Sequence, residues 1–301
     1  AATPAPAAAA AIPGAATAPA VSEIVQVSTD LLVADITTLG ATVARLELRK
    51  HKDANDPTRN FVLLGAEHAY SAQSGLIGDG MPNHRIPWRA LPGERTLAAG
   101  ADKLQARFAA DGPQGVVVEK VYTFHRNSYL VDVAFEVKNT GGTPVAAYAY
   151  YQIVRDDKAP AGQSRMMYVY TGPVYYTPER AFHKVDFSDI EKGKADLPKE
   201  AREGWIGMMQ HYFVSVWLPP EKAPREFYAR KLPDGLYAAG VIVATPQAAP
   251  GDTANVSVQL FSGPQEHNRL KKAAPGLDLV VHYGWLPITA WPLFAVLDFF
   301  H

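Results

Sequence analysis

The residues that could carry acid–base, nucleophilic or metal chemistry are sparse in this sequence and spread along it. The chain has no cysteine, which excludes thiolate nucleophiles, thiolate metal ligands and disulfides. Its nine histidines include no pair at a close metal-ligand spacing supported by a carboxylate. His125 and His211 stand alone, the first at the end of a predicted strand and the second within one. We therefore predict packing or hydrogen-bonding roles for them, with no catalytic residue, no metal ligand and no cofactor.

The aromatic residues are better suited to binding than to a reaction. Tyrosines are dense between residues 148 and 176, and such density is typical of a cleft or a protein-binding face. We single out Tyr148, Tyr150, Tyr175 and Tyr176 as candidates for a cleft or partner surface. The alternative is that these tyrosines only fill half-buried sheet faces, because tyrosine is a favourable strand residue.

The last segment has the composition of a membrane surface element. Residues 285–301 contain a single acidic or basic residue, Asp298, but they are too short and too proline-broken to span a bilayer. Pro292 suits the first position of a helix, and apolar residues then recur at helical spacing. We predict an amphipathic membrane-interface helix leading to a transmembrane helix, with Trp285, Trp291, Leu293, Phe294, Val296, Leu297 and Phe300 at the interface. Alternatively, the part before Pro292 is a helix buried against the domain's own sheet.

The overall composition describes a folded protein with one unusual end. With 48% hydrophobic residues, 20% charged residues and a net charge of −1, the chain is not disordered as a whole. It also lacks the basic excess that would indicate nucleic-acid binding. Residues 1–22 carry no charge, and prolines interrupt their alanines. We predict a disordered, semi-extended Ala/Pro-rich linker there.

Between the two ends, a two-residue period dominates. Residues 44–49, 129–139 and 254–260 alternate apolar and polar side chains, as strands with one buried face do. Turn signals separate further strand candidates, at 31–37, 61–64, 103–109, 116–124, 145–154, 165–170, 205–218, 226–231 and 236–244. Helical pattern is scarce, with one candidate at 264–274 before the C-terminus. We predict an all-β fold, a large antiparallel β-sandwich with short C-terminal helices, as one domain over residues 23–284.

Four stretches of the sequence occur in the order found in a known family. They read TGPVYYTP at 171–178, GWIGMMQHYF at 204–213, GP through LDL at 263–279, and YGWL followed by PLF between 283 and 294. Together they resemble the large periplasmic domain of the YidC family of bacterial inner-membrane protein insertases. The YGWL and PLF segment is the most specific, because in that family it marks where the chain re-enters the membrane.

The resemblance implies a large twisted β-sandwich of the galactose mutarotase-like type, in the periplasm beside the bacterial inner membrane. It implies a non-enzymatic scaffold and partner-binding domain in an insertase and chaperone that works alone or with the Sec translocon. The partners that it implies are SecF, nascent inner-membrane proteins and the membrane surface. In that family one transmembrane helix precedes this domain and others follow it.

A second class of function stays open, namely a carbohydrate-binding or aldose-epimerase-like β-sandwich. We find no mutarotase His/Glu pair that can be matched onto the sequence. We therefore expect no interconversion of sugar anomers. Such activity, if abolished by changing His125 or His211, would favour the enzyme.

Overall fold

Two antiparallel β-sheets make up most of the structure, a computed structural model that describes residues 11–13, 22–160 and 170–281. The strands are β1 (Ile24–Ser28), β2 (Leu32–Thr37), β3 (Thr42–Lys52), β4 (Asn60–Leu64), β5 (Ser71–Ile77), β6 (Arg89–Ala90), β7 (Lys103–Asp111), β8 (Val116–His125), β9 (Leu130–Asn139), β10 (Tyr148–Asp156), β11 (Gly172–Thr177), β12 (Ala181–Lys184), β13 (Trp205–Gln210), β14 (Phe213–Leu218), β15 (Arg225–Lys231), β16 (Leu236–Ala244) and β17 (Thr253–Pro264). The helices are α1 (Phe187–Glu191) and α2 (His267–Ala273).

The strand order follows a long-range topology. One sheet has eight strands in the order β1-β2-β3-β5-β10-β16-β15, with β4 also paired to β3. The other has nine strands in the order β12-β11-β13-β14-β17-β9-β8-β7-β6. Helix α2 and a 3₁₀ turn at Leu277–Val280 follow the last strand. The predicted antiparallel sandwich with short C-terminal helices is confirmed.

The main core is filled by alternate residues of the facing strands. On β10, Ala149, Tyr151 and Ile153 are buried in this core. Tyr148 and Tyr150 belong to a separate cluster on the other side of the sheet, because successive side chains of a strand point to opposite faces.

A buried lysine links the two sheets. Lys120 of β8 is fully buried, and its Nζ donates to the carbonyl oxygens of Gly40 and Ala41 at 2.9 Å and of Ser74 at 3.1 Å. Burial lowers the pKa of Lys120 well below its usual range, because removal from water disfavours the charged amine. Three carbonyls that would otherwise be buried without a partner are thus satisfied by one side chain.

Some strands differ from those predicted. Residues 205–218 form a hairpin instead of one strand, since β13 pairs with β14 and Tyr212 has a left-handed φ of 67°. The turn residues His211 and Tyr212 are not typical turn formers, so the sequence carried no break signal. Strand β5 was not predicted, because its sequence SAQSGLI has little alternation and a central glycine.

Part of the predicted N-terminal linker is structured. Residues 11–13 are described, and Ile12 is only 3% exposed. Ile12 packs in the small cluster on the outward side of the eight-stranded sheet. The expectation that nothing folds within residues 1–22 therefore does not hold at Ile12.

Candidate functional site

The outward surface of the nine-stranded sheet is polar where β7, β8 and β9 pair. Arg107 contacts Glu119 at 2.8 Å and Glu136 at 3.1 Å, and all three side chains are about one-third exposed. His125 Nε2 lies 2.7 Å from Asp132 Oδ2. His125 therefore has a hydrogen-bonding role in a solvated surface network, which agrees with its expected role.

The outward surface of the eight-stranded sheet is apolar and rich in tyrosine. We call the outward side of β5, β10, β16 and β15 the tyrosine face, formed by Ile77, Tyr148, Tyr150, Gln152, Ile242, Glu226, Tyr228 and Arg230. Tyr150 and Ile242 have no exposed surface, and Tyr228 is 6% exposed. An outward sheet surface that is buried in this way needs something lying over it.

Two glycines allow the tyrosine rings to lie flat on this face. Tyr150 is paired with Gly75 on β5, and Tyr228 is paired with Gly240 on β16. A Cβ at Gly75 would lie 2.5 Å from Tyr150 Oη, and one at Gly240 would lie 2.6 Å from Tyr228 Oη. The rings thus cover backbone that lacks a side chain, which restores packing lost at a strand glycine.

The hydroxyl groups of the two tyrosines are held by neighbouring polar groups. The backbone N–H of His84 donates to Tyr150 Oη at 3.1 Å, and the His84 ring nitrogen Nδ1 also contacts that oxygen. Tyr228 donates to Gln152 Oε1 at 2.9 Å, and Gln152 Nε2 donates to Gln73 Oε1 at 2.8 Å. The floor of the tyrosine face is therefore ordered by contacts within the sheet and its flanking loop.

Burial also sets the protonation of these hydroxyls. It raises the pKa of both Tyr150 and Tyr228 far above neutrality, since a phenolate would be costly away from water. Both hydroxyls stay protonated at neutral pH, so neither serves as a general base.

The N-terminal segment lies on the tyrosine face. Ile12 packs with Ile77, Tyr150 and Ile242. Arg230 then donates from Nη1 to the carbonyl of Ile12 and from Nη2 to the carbonyl of Pro13, both at 2.9 Å. The guanidinium fork thereby engages two successive backbone carbonyls.

A buried carboxyl lies on the same face. Glu226 is 4% exposed, and its Oε2 has no hydrogen-bond partner in the described part of the chain. Burial raises the pKa of Glu226 from 4.5 to about 7, and the charge of Lys199 opposes this only in part. Glu226 and Arg230 flank Tyr228 along β15, so the face has an acceptor at one end and a donor at the other.

The structure separates the four tyrosines singled out from the sequence. Tyr148 and Tyr150 lie on the tyrosine face, whereas Tyr175 and Tyr176 are on β11 in the other sheet. Adjacent residues of a strand point to opposite sides, so Tyr175 and Tyr176 do not share a surface either. The described residues therefore contain no single cleft formed by all four.

The two tyrosines of β11 line different cavities. Tyr175 stacks on His183 with ring centroids 5.4 Å apart, beside a cavity of about 360 Å³ that Arg180 and Asp189 also line. Tyr176 stacks on Trp205 with centroids 5.9 Å apart.

The residues at Tyr176 hold the segment that follows α2. Trp205 Nε1 donates to the carbonyl of Pro275 at 3.1 Å, and a Cβ at Gly276 would lie 2.4 Å from the Tyr176 ring. The close approach at Gly276, which also has a positive φ of 68°, fixes the C-terminal turn against the nine-stranded sheet.

Other sequence-based predictions lie beyond the reach of the structure or outside its sites. The predicted interface residues between Trp285 and Phe300 are outside the described residues. His211 lies in the β13–β14 turn against the ring of Tyr212. Across 11–13, 22–160 and 170–281, no group of three acidic or histidine side chains could hold a metal ion. No helix in those ranges has the length and apolarity needed to cross a bilayer.

Sequence reasoning missed three residues of the tyrosine face: Ile12, Glu226 and Arg230. Alternation along the predicted strand 226–231 places Glu226, Tyr228 and Arg230 on one side, so that part could have been found. The contact of Arg230 with Ile12 joins residues 218 positions apart. No local pattern indicates such a pairing.

The fold and the face define a class first. The two stacked sheets form a β-sandwich of the galactose mutarotase-like class. A galactose mutarotase related enzyme from Lactobacillus acidophilus superimposes with a TM-score of 0.52 over 80% of this chain and 97% of that one. The identity in this superposition is 8%, so the similarity concerns the fold alone.

Sequence comparison then identifies the family. Residues 24–296 match the family model of the YidC periplasmic domain, and the chain belongs to that family. It is 47% identical over 279 residues to the membrane protein insertase YidC of Nitrosospira multiformis, covering 92% of this chain and 49% of that protein. It is 48% identical over 278 residues to the YidC of Aromatoleum aromaticum, covering 91% and 50% respectively. The chain spans about half the length of these relatives.

Proposed function

We propose that this chain is a non-enzymatic periplasmic domain of a bacterial inner-membrane protein insertase and chaperone. In this role it is a scaffold and partner-binding surface for an insertase that works alone or with the Sec translocon, with SecF as a partner. The observation that carries the proposal is the match of residues 24–296 to the YidC periplasmic domain. The relatives that match are named membrane protein insertases.

The chemistry of the tyrosine face supports a binding role. Its hydroxyls are protonated and hydrogen-bonded to His84 and Gln152, and its apolar residues are packed with Ile12. Such a surface buries an apolar partner and satisfies a few polar groups, which is what protein-binding faces do.

The proposed C-terminal interface helix provides the sharpest test in the full-length insertase. We expect Leu293→Glu and Leu297→Glu to impair insertion of an inner-membrane substrate far more than Gln114→Glu, a charge change in an exposed loop. An added charge would remove an apolar contact with the membrane surface. Insertion is measured by protease protection of the substrate in membrane vesicles. Equal effects at the three positions would contradict the proposal.

The partner surface can be located by crosslinking in membranes. A photo-crosslinking residue at Lys199, beside Glu226, samples the edge of the tyrosine face. The same probe at the exposed Lys138 of β9 samples the nine-stranded sheet. We expect adducts with SecF or with nascent chains at Lys199 and not at Lys138. Adducts of equal yield at both positions would mean that the tyrosine face is not a selective partner surface.

The epimerase alternative is tested separately by polarimetry of glucose or galactose anomers. We expect no interconversion above the buffer rate. A catalysed rate that is lost in His125→Ala or His211→Ala would instead establish an enzyme.

A further inference from the structure

We propose that the tyrosine face is a receptor for an extended, uncharged aliphatic peptide segment, and that Ile12–Pro13 is its displaceable intramolecular ligand. This inference rests on the proposed function, because it names the class of partner that the binding face takes. The occupant on the page is a segment of the chain itself, with the sequence AIP at residues 11–13.

The receptor is built by contacts that do not involve its ligand. Tyr150 is held by His84 and covers Gly75. Tyr228 is held by Gln152. Because these bonds lie within the sheet and its flanking loop, the floor persists when Ile12 leaves. A preformed apolar floor binds without the cost of ordering itself.

The contacts to the segment read its backbone more than its sequence. Arg230 donates to two successive carbonyls of residues 12 and 13, groups that every peptide has. One aliphatic side chain, Ile12, fills the space among Ile77, Tyr150 and Ile242. A different extended segment with an aliphatic side chain at that position would satisfy the same contacts.

The intramolecular ligand leaves one group of the face unsatisfied. Glu226 Oε2 is enclosed and accepts no hydrogen bond from the described residues. Along a strand, Glu226 and Arg230 are about 13 Å apart, the span of four residues of an extended peptide. Pro13 has no N–H to offer. A longer segment that donates an N–H to Glu226 would make a contact that Ile12–Pro13 does not make, and would therefore displace it.

The intramolecular ligand is held near its receptor by the chain. Residues 14–21 separate Pro13 from the described residues before β1, and eight residues reach at most about 30 Å. A tether of this length gives an effective concentration on the order of millimolar. A weak contact is thus enough to keep the face occupied until a better segment arrives.

The test uses the 301-residue chain and a fluorescein-labelled peptide with the sequence of residues 7–16, AAAAAIPGAA. Ile12→Asp removes the intramolecular ligand without altering the sandwich core. We expect the peptide to bind Ile12→Asp at least about tenfold more tightly than the unaltered chain, because the tethered segment no longer competes. Binding is followed by fluorescence anisotropy.

Two further variants check where the peptide binds. Adding Arg230→Ala to Ile12→Asp should weaken binding about tenfold, through loss of both carbonyl contacts. Adding Arg107→Ala, which removes an arginine from the polar outer surface of the other sheet, should leave binding unchanged. Thermal unfolding confirms that each variant is folded, and Arg230→Lys replaces Arg230→Ala if the latter is not.

The proposal is overturned if the peptide binds none of these proteins, or binds the unaltered chain and Ile12→Asp equally. It is also overturned if Arg230→Ala and Arg107→Ala have the same effect. A peptide carrying Asp in place of its Ile should bind no variant, and equal binding of that peptide would count against the aliphatic pocket. Failure here leaves the insertion assay on Leu293 and Leu297 as an independent test of the proposed function.

Discussion

Replacement of the buried carboxyl on the tyrosine face should stabilise the protein in a pH-dependent way. Glu226 is 4% exposed, its Oε2 lacks a hydrogen-bond partner among the described residues, and burial raises its pKa from 4.5 to about 7. Glu226→Gln keeps the shape of the side chain and removes its ability to ionise. The substitution therefore isolates the cost of placing a carboxylate at this position.

The sign and size of the effect follow from linkage between protonation and folding. A carboxyl whose pKa is raised on folding binds its proton more tightly in the folded state. Its contribution to stability is present below pH 4.5, falls as the pH rises, and is lost above about pH 7. At about 1.4 kcal/mol for each pH unit, the ceiling is about 3 kcal/mol. Relaxation around a group at the edge of the sheet reduces this, and we expect a gain of about 1–2 kcal/mol in Glu226→Gln at pH 8 relative to pH 4.5.

The measurement is urea unfolding of the unaltered chain and of Glu226→Gln at pH 4.5, 6 and 8. The difference in free energy of unfolding between the two proteins cancels the other titrating groups. Glu94→Gln removes the same charge from an exposed side chain and controls for general charge effects. A difference that stays constant with pH, or that favours the unaltered chain at pH 8, would refute the reasoning.

Two further substitutions test the packing described above. Gly75→Ala would place a Cβ 2.5 Å from Tyr150 Oη, and we expect a loss of about 1–3 kcal/mol in the free energy of unfolding. Gly142→Ala, where no atom lies within 4 Å, is its control. Lys120→Met would leave three buried carbonyls without a donor, and we expect a loss of about 3 kcal/mol or more. The exposed Lys138→Met is its control. Urea unfolding at pH 7 measures both losses.

Each of these predictions has a clear contrary result. A loss in Gly142→Ala equal to that in Gly75→Ala would mean that the close approach to Tyr150 is not the cause. An unchanged or higher stability of Lys120→Met would mean that the cost of burying the amine outweighs its three hydrogen bonds.

Alternation alone predicted most of the strands that form the sandwich. The predicted strands at 31–37, 116–124 and 236–244 each match an observed strand to within a residue. These segments combine β-branched or aromatic residues with local turn signals, and both act over a few residues. The hairpin at 205–218 was missed for the same reason, since its turn depends on a left-handed Tyr212 that no local preference favours.

The candidate site was only partly predictable. The sequence singled out Tyr148 and Tyr150, which lie on the tyrosine face, together with Tyr175 and Tyr176, which do not. Sequence proximity groups residues by position in the chain. Sheet membership is decided instead by pairing between distant strands, such as β5 with β10. The proposed role of the residues from Trp285 to Phe300 remains a prediction.

By itself, the sequence determined the all-β character, the direction of each side chain along a strand and the family. These depend on composition, on a two-residue period and on short ordered motifs, which are all local properties. Only the tertiary structure decided which outward surface is apolar and what lies on it. That decision brings Ile12 to Arg230 across 218 positions and sets Tyr150 over Gly75. The physical reason is that burial belongs to a surface assembled from distant strands, so no single segment encodes it.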